Sequence, residues 1–220
     1  MKYKHFKQAL LFKVGSKIMN FKYYDIMSSL VSGVIISVSL NLVFDLGYTY
    51  DAVPLIAVAY VIGYFINGLS SLLEKTYYKT MGGMPSDILL TQIEGQNYTG
   101  FKRVKFYEAS EAIEMLKTEL NDSNASKGKM FGRAMSYSNN DEKTRVPDFN
   151  AQYAFSRVIL TTSLLLSVLW LSKYYMEWWM WLVAVFIVYM SWRRCKERGY
   201  YYAREVLTAY LRKKRDANTH

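Results

Sequence analysis

Side chains that could carry acid–base, nucleophilic or metal chemistry are scarce in this 220-residue sequence. Its two histidines, His5 and His220, lie near opposite ends, and its one cysteine, Cys195, has no second cysteine with which to form a disulfide or a metal site. The sequence contains no GxSxG, HExxH, P-loop or dinucleotide-binding motif. We therefore predict that the protein is not an enzyme, with no catalytic residues, no metal site and no cofactor.

Basic side chains are concentrated at the two ends of the chain. Residues 1–24 hold six lysines and no acidic residue, and residues 193–220 hold nine lysines and arginines against three acidic residues, whereas residues 74–154 are neutral. Two interpretations remain open: anchoring beside anionic lipid, and binding of a polyanion such as an oligonucleotide. The candidate anion-binding residues are Lys13, Lys17, Arg193, Arg194, Arg198 and Arg204.

Polar and small side chains recur every four residues inside two long uncharged runs. A stripe at this spacing lies on one helical face, where it either lets two helices approach closely or lines a pore. The stripe contains no carboxylate, which suits a pore better than a proton-coupled transporter. Its members are Ser29, Gly33, Ser37 and Asn41 in the first run and Gly63, Asn67 and Ser71 in the second.

Four uncharged runs predict an all-α integral membrane protein with four transmembrane helices. Residues 26–44 and 52–73 have about the ~20 residues that a bilayer core requires. Residues 158–172 and 178–192 are shorter, and they either cross the membrane or form a re-entrant hairpin. The distribution of lysine and arginine places both termini in the cytoplasm.

The segments around the spans are also predicted to be helical. Apolar residues at helical spacing indicate an amphipathic helix over residues 1–24. The predicted organisation is this amphipathic helix, transmembrane helices 1–2 at 25–73, a helical cytoplasmic cap at 74–154, transmembrane helices 3–4 at 155–192, and a basic cytoplasmic C-terminal helix at 193–220. From the end of span four into that last helix, the residues Trp192, Gly199, Ala203, Val206 and Tyr210 recur at helical spacing, which predicts a short seam between subunits.

The end of the second run is marked by a sharp change in backbone preference. Gly82 and Gly83 permit almost any backbone angle and predict a swivel, and Pro85 suits the first turn of a helix. Asp87 then places a negative charge where it favours the helix dipole. The sequence thus predicts that the helix leaving span two continues through residues 74–80 and that the chain is redirected at Gly82 and Gly83.

Three segments resemble a group of small bacterial four-span proteins. They are GGMPSDILL after span two, TRVPDFNAQYAFSR before span three and RGYYYAREVLTAYL after span four. Together they are similar to the membrane effectors of the Hailong antiphage defence system, the HalB family. The four-span effectors of Kiwa and CBASS-type systems are the alternatives. The matching residues are Gly82, Gly83 and Pro85 in the first segment, and Arg145, Phe149, Tyr153 and Arg157 in the second, all expected to be structural.

The resemblance implies a particular mode of action. It implies a homotetrameric channel that its N-terminal helices help to keep shut and that a nucleotide or oligonucleotide signal from a partner nucleotidyltransferase controls. Two hypotheses therefore stand. One is a pore-forming effector that disrupts the host membrane when it is released from autoinhibition, and the other is a non-conducting membrane scaffold or accessory subunit of a defence complex.

Overall fold

The structure, a computed structural model, describes residues 26–47, 52–91, 104–139 and 144–218, and within these ranges it contains helices and no strand. The prediction of an all-α protein is therefore confirmed for the described residues. The predicted amphipathic helix at 1–24, with Lys13 and Lys17, lies outside them. The helices are α1 (Ile26–Phe44), α2 (Ala52–Leu72), α3 (Glu74–Met81), α4 (Pro85–Leu89), α5 (Ala109–Leu120), α6 (Lys127–Asn139), α7 (Val146–Tyr174) and α8 (Trp178–Asn218).

The chain forms two compact units. Unit 1 comprises Met1–Ser71 and Arg157–Tyr189, and unit 2 comprises Leu72–Ser156 and Met190–His220. Helices α7 and α8 each contribute residues to both units. The uncharged runs lie largely in unit 1, whereas the neutral segment 74–154 and the basic segment 193–220 lie in unit 2.

Three of the described helices are long and apolar enough to cross a membrane, namely those over Ile26–Phe44, Val53–Leu72 and Val146–Tyr174. The fourth predicted span, at residues 178–192, forms the first part of α8. This run is shorter, since Arg193 and Arg194 follow it directly, and α8 is not among the three. The helix lengths and hydropathy are therefore those of a membrane protein, with three candidate spans among the described residues.

Hydroxyl groups inside unit 1 bond largely to the backbone of their own helix. The Ser32 hydroxyl donates to the Ser28 carbonyl at 2.7 Å in α1, and the Thr162 hydroxyl donates to the Val158 carbonyl at 2.9 Å in α7. The Ser167 hydroxyl likewise donates to the Ser163 carbonyl at 2.8 Å. Such bonds to the preceding turn satisfy a hydroxyl where no water is present.

Unit 2 contains a hydrophobic core. Helices α4, α5 and α6 build it together with the second half of α8. Its most deeply buried side chains include Leu116 of α5 and Tyr200, Leu207 and Tyr210 of α8. Gly199, Ala203, Val206 and Tyr210, which were predicted to form a seam between subunits, are buried within this unit. The prediction of an intermolecular seam is therefore corrected, because the apolar face of α8 already packs against helices of its own chain.

Candidate functional site

Helices α1 and α2 touch through two glycines of the predicted stripe. A Cβ added to Gly33 would lie 1.6 Å from the Ala59 carbonyl oxygen, and a Cβ added to Gly63 would lie 1.6 Å from the Ser29 carbonyl oxygen. No side chain fits at either position, so the two backbones are in direct contact. Ser29, Gly33 and Gly63 thus belong to the packing surface between α1 and α2.

The remaining stripe residues have different surroundings. Ser37 and Asn41 are half-buried on α1. Asn67 is half-buried and Ser71 exposed on α2, on a face next to the one that Gly63 presents to α1. The structure therefore does not gather all seven stripe residues at one surface.

Tyr60 and Tyr64 extend the exposed face that carries Asn67 and Ser71. The spacing 60, 64, 67, 71 keeps these four residues in line along a helix. Tyr60 and Tyr64 expose 46% and 66% of their surface. We call these four residues the α2 polar face. The two tyrosines are not part of the predicted stripe of small residues, although their hydroxyl groups recur at the same spacing in the sequence.

Arg157 lies beside the end of the α2 polar face. It begins the part of α7 that belongs to unit 1, and its guanidinium donates a hydrogen bond to the Ser71 hydroxyl at 3.2 Å. Ser71 in turn donates to the Asn67 carbonyl at 3.3 Å. Arg157 was predicted as part of the segment approaching span three, and here it connects α7 to α2.

The diglycine ends α3 through left-handed backbone conformations. Gly82 and Gly83 have φ values of 93° and 121°. The Gly82 amide donates to the Lys79 carbonyl at 3.4 Å, and the Gly83 amide donates to the Tyr78 carbonyl at 2.9 Å. This pair of bonds is the Schellman arrangement that closes a helix C-terminus. Pro85 then occupies the first turn of α4, where its missing amide proton is not needed.

The three segments that carry the family resemblance meet around Gly199 in unit 2. A Cβ on Gly199 would lie 3.2 Å from Tyr153 Cε2 and 3.3 Å from Pro85 Cγ. The Tyr153 ring also stacks on that of Tyr202, with 6.1 Å between their centres and 3° between their planes. One residue from each segment thus takes part in a single packed junction.

Polar groups complete this junction. The Tyr153 hydroxyl lies 2.8 Å from the Tyr78 hydroxyl and 3.1 Å from Glu74 Oε1. Tyr78 donates to the same carboxylate oxygen at 2.8 Å. We call Glu74, Tyr78, Tyr153 and Tyr202 the tyrosine junction. Its hydrogen bonds connect α3 to α7, and the stacking of Tyr153 on Tyr202 adds α8.

Arg145 and Phe149, the other matching residues of the second segment, form a local contact at the start of α7. The Arg145 guanidinium lies 5.2 Å from the centre of the Phe149 ring, and this ring is 6.4 Å from that of Tyr201. A cation over an aromatic face contributes roughly 0.5–1 kcal/mol at an exposed site. The pair thus anchors the first turn of α7 to α8.

Contacts within the chain engage three of the four predicted anion-binding arginines of α8. Arg194 pairs with Glu197 at 3.3 Å, the Arg198 guanidinium donates to the Gln152 amide oxygen, and Arg204 lies 5.2 Å from the Tyr201 ring centre. Arg193 is exposed. Positions 193 to 204 span eleven residues, or about 17 Å of helix, so the four side chains do not converge on one point.

Basic side chains that were not predicted as a group surround Glu119 and Tyr137. Glu119 accepts from Arg133 Nε at 2.6 Å and from Lys214 Nζ at 3.0 Å. Arg133 and Lys214 also lie 5.0 and 4.6 Å from the centre of the Tyr137 ring. The contributing residues come from α5, α6 and α8, so proximity in the sequence gave no signal for this cluster.

Hydrogen bonding controls the ionisation of Glu119. Burial of the carboxyl group alone would raise its pKa, but the hydrogen bonds that it accepts outweigh burial and lower the pKa from about 4.5 to about 2. The donors are Tyr137, Lys214, Tyr210 and Arg133. Glu119 is therefore ionised at neutral pH and joins three helices of unit 2.

The chain matches no protein-family model, and no curated protein or solved structure is detectably similar to it.

Proposed function

We propose that this protein is a pore-forming effector of the bacterial inner membrane, in which α1, α2, the apolar part of α7 and the first part of α8 are four spans. Both termini and unit 2 lie in the cytoplasm. Copies of the chain, with a tetramer favoured, surround an ion-conducting path lined by the α2 polar face. The observation that carries this proposal is the exposure of that face on an otherwise apolar helix.

The chemistry of the α2 polar face favours water over lipid. The Ser71 hydroxyl is bonded to Asn67 and Arg157, but phenol and amide groups that face hydrocarbon find no water to bond, which makes such an arrangement costly. Tyrosines within spans normally concentrate at the two membrane surfaces, whereas Tyr60 and Tyr64 lie toward the middle of α2. Exposed apolar residues such as Phe65 and Leu72 occupy a different side of the same helix. α2 therefore has one side suited to water and another suited to lipid.

The biological role that we propose is antiphage defence. The pore is held closed by the N-terminal amphipathic helix and is controlled by a nucleotide or oligonucleotide signal from a partner nucleotidyltransferase. Support comes from the resemblance of three segments to Hailong-type effectors, and from the meeting of those segments around Gly199. When the restraint is released, the pore dissipates the membrane potential of the host.

Cysteine substitution tests the proposed pore lining. Tyr64→Cys and Asn67→Cys place thiols on the α2 polar face, while Phe65→Cys and Val61→Cys provide controls on the apolar side of the same helix. In planar-bilayer recordings of the purified protein, a membrane-impermeant thiol reagent should alter the unitary current of the first two variants only. Equal effects at all four positions would show that α2 does not line the path.

The alternative function is a non-conducting scaffold or accessory subunit of a defence complex. The well-formed core of unit 2 and the engagement of three α8 arginines with partners in the same chain favour this alternative over a signal-gated pore. The recordings separate the two functions, since a scaffold produces no unitary currents when the reconstituted protein is present at the same density.

A further inference from the structure

Unit 1 contains a groove between α1, α7 and α8 that the proposed pore does not use. Its volume is about 390 Å³, within the range of roughly 300–1,000 Å³ typical of small-molecule sites. The walls are formed mainly by apolar and aromatic side chains. The larger side chains along its walls are those of Ile35, Leu166, Trp170, Trp179, Val183 and Ile187.

The few polar groups of this groove are bonded to one another or to backbone. The Trp170 indole donates to the Ser39 hydroxyl at 3.3 Å, and the Ser167 hydroxyl donates to the Ser163 carbonyl at 2.8 Å. A bound water needs two to four polar partners, and these walls do not provide them. The groove is therefore suited to hydrocarbon.

The position of the groove along the helices fits the depth of a single lipid leaflet. One end is formed by Trp170 and Trp179, next to the exposed aromatic and apolar residues Tyr175, Met176 and Trp178 of the α7–α8 turn. Such aromatics favour the membrane surface. From Trp179 the lining continues to Ile187, eight residues or about 12 Å of helix, against about 15 Å for half of a bilayer core.

We propose that this groove binds one acyl chain of a phospholipid from the leaflet at which the α7–α8 turn lies. The chain enters between Trp170 and Trp179, and its end reaches Ile187. The lysine at this end, Lys173, already bonds to Asp45 at 2.9 Å and to the Leu42 carbonyl at 3.0 Å. The site therefore selects the hydrocarbon chain and leaves the headgroup charge unspecified. This inference rests on the membrane location that we propose for unit 1.

Photolabelling of the full-length protein tests the acyl-chain site. The protein is placed in nanodiscs of phosphatidylcholine and phosphatidylglycerol that contain a phosphatidylcholine with a diazirine in one acyl chain. Label is expected in the peptides over 166–171 and 179–187. Ala184→Trp, which fills the groove, should reduce that label by about tenfold, the change produced by a loss of ~1.4 kcal/mol in binding. Val185→Trp alters an exposed neighbour and should leave the label unchanged.

Further outcomes distinguish the possible occupants. Ala184→Leu fills less of the groove and replaces the tryptophan variant if the latter fails to assemble. Uniform label over all exposed apolar residues, unaffected by either substitution, would overturn the proposal in favour of non-selective lipid contact. A disulfide between copies carrying Ala184→Cys would show that a second copy occupies the groove. Labelling does not require conduction, so a labelled but silent protein would contradict only the pore.

Discussion

Two glycines determine how closely α1 and α2 approach each other. The atoms that would oppose a Cβ at Gly33 or Gly63 are backbone carbonyl groups, which cannot rotate away as a flexible side chain would. Relief of the clash would require separation of the helices. A single methyl group at either position therefore acts on the whole helix pair.

Gly33→Ala and Gly63→Ala should each destabilise the protein by about 1–3 kcal/mol or more, the range for overpacked interiors. The matched control is Gly68→Ala in α2, where an added Cβ meets nothing within 4 Å. Thermal unfolding of the detergent-solubilised protein, followed by circular dichroism, measures the difference. Equal melting temperatures for all three variants would show that the close contact between α1 and α2 does not exist in the folded protein.

Glu119 should make the stability of unit 2 depend on pH. Its pKa is lowered to about 2 in the folded protein from about 4.5, so its contribution is fully present above pH 4.5 and is lost as the pH falls through about 2. Glu119→Gln should destabilise the chain by about 1–2 kcal/mol at pH 7, the scale of a hydrogen bond to a charged group. The difference from wild type should shrink as the pH approaches 2.

Thermal melting at pH 7, 4 and 2 provides the measurement for Glu119→Gln. Glu114→Gln is the control, because Glu114 is exposed on the same helix, α5. A constant difference between Glu119→Gln and wild type across this pH range would contradict the proposed role of the carboxylate charge.

At the end of helix α3, the effect of backbone conformation on stability can be measured separately from the effect of packing. An added Cβ at Gly82 meets nothing within 4 Å, so Gly82→Ala should act only through the φ of 93° and cost about 1–2 kcal/mol. Gly132→Ala, in open space inside α6, should instead stabilise by roughly 0.5–1 kcal/mol. Opposite shifts in melting temperature are expected, and shifts of the same sign would disprove the left-handed cap.

The helices themselves could be predicted more readily than the surfaces they bury. Pro85 at the start of α4 follows from local backbone chemistry, which a sequence displays directly. The face of α8 with Ala203, Val206 and Tyr210 was recognised as apolar but was assigned to a neighbouring subunit. Periodicity reveals that a face is buried and does not identify its partner. The partner here is the loop region of the same chain, more than sixty residues away in sequence.

The candidate site could be predicted only in part, because the sequence does not show which residues of different helices lie next to each other. Gly33 and Gly63 could be identified as one stripe, but their direct contact with the opposing backbone depends on the distance between two helices. Tyr60 and Tyr64 looked like ordinary apolar residues until their exposure was known. The Glu119 cluster forms where three helices pack together, and no local sequence pattern predicts that packing.

At the scale of the whole molecule, the proposed topology predicts which surfaces a membrane-impermeant thiol reagent reaches. Met176→Cys lies in the exposed α7–α8 turn and should react in intact cells, from the periplasmic side. Ser136→Cys is exposed on α6 and should react only after the membrane is opened. The native Cys195 is buried, so wild-type protein provides the background. Reaction of Ser136→Cys in intact cells would contradict the topology.

Deletion of residues 2–20 tests the proposed autoinhibition. At expression levels where the full-length protein is harmless, the shortened protein should be toxic and should collapse the membrane potential, measured with a voltage-sensitive dye. Replacement of Lys13 and Lys17 by glutamine provides a milder variant that keeps the apolar residues. Equal membrane insertion and assembly with an intact potential would contradict restraint by this segment and would favour the scaffold.

The hydroxyl groups that bond within their own helices bear on how this protein is made. Because the hydroxyls of Ser32, Thr162 and Ser167 find acceptors one turn away, none of them needs a neighbouring helix to become satisfied. In the membrane location that we propose for unit 1, these three hydroxyls need no partner helix when they enter lipid. The close approach of α1 and α2 at Gly33 and Gly63 can then form between helices that are already inserted.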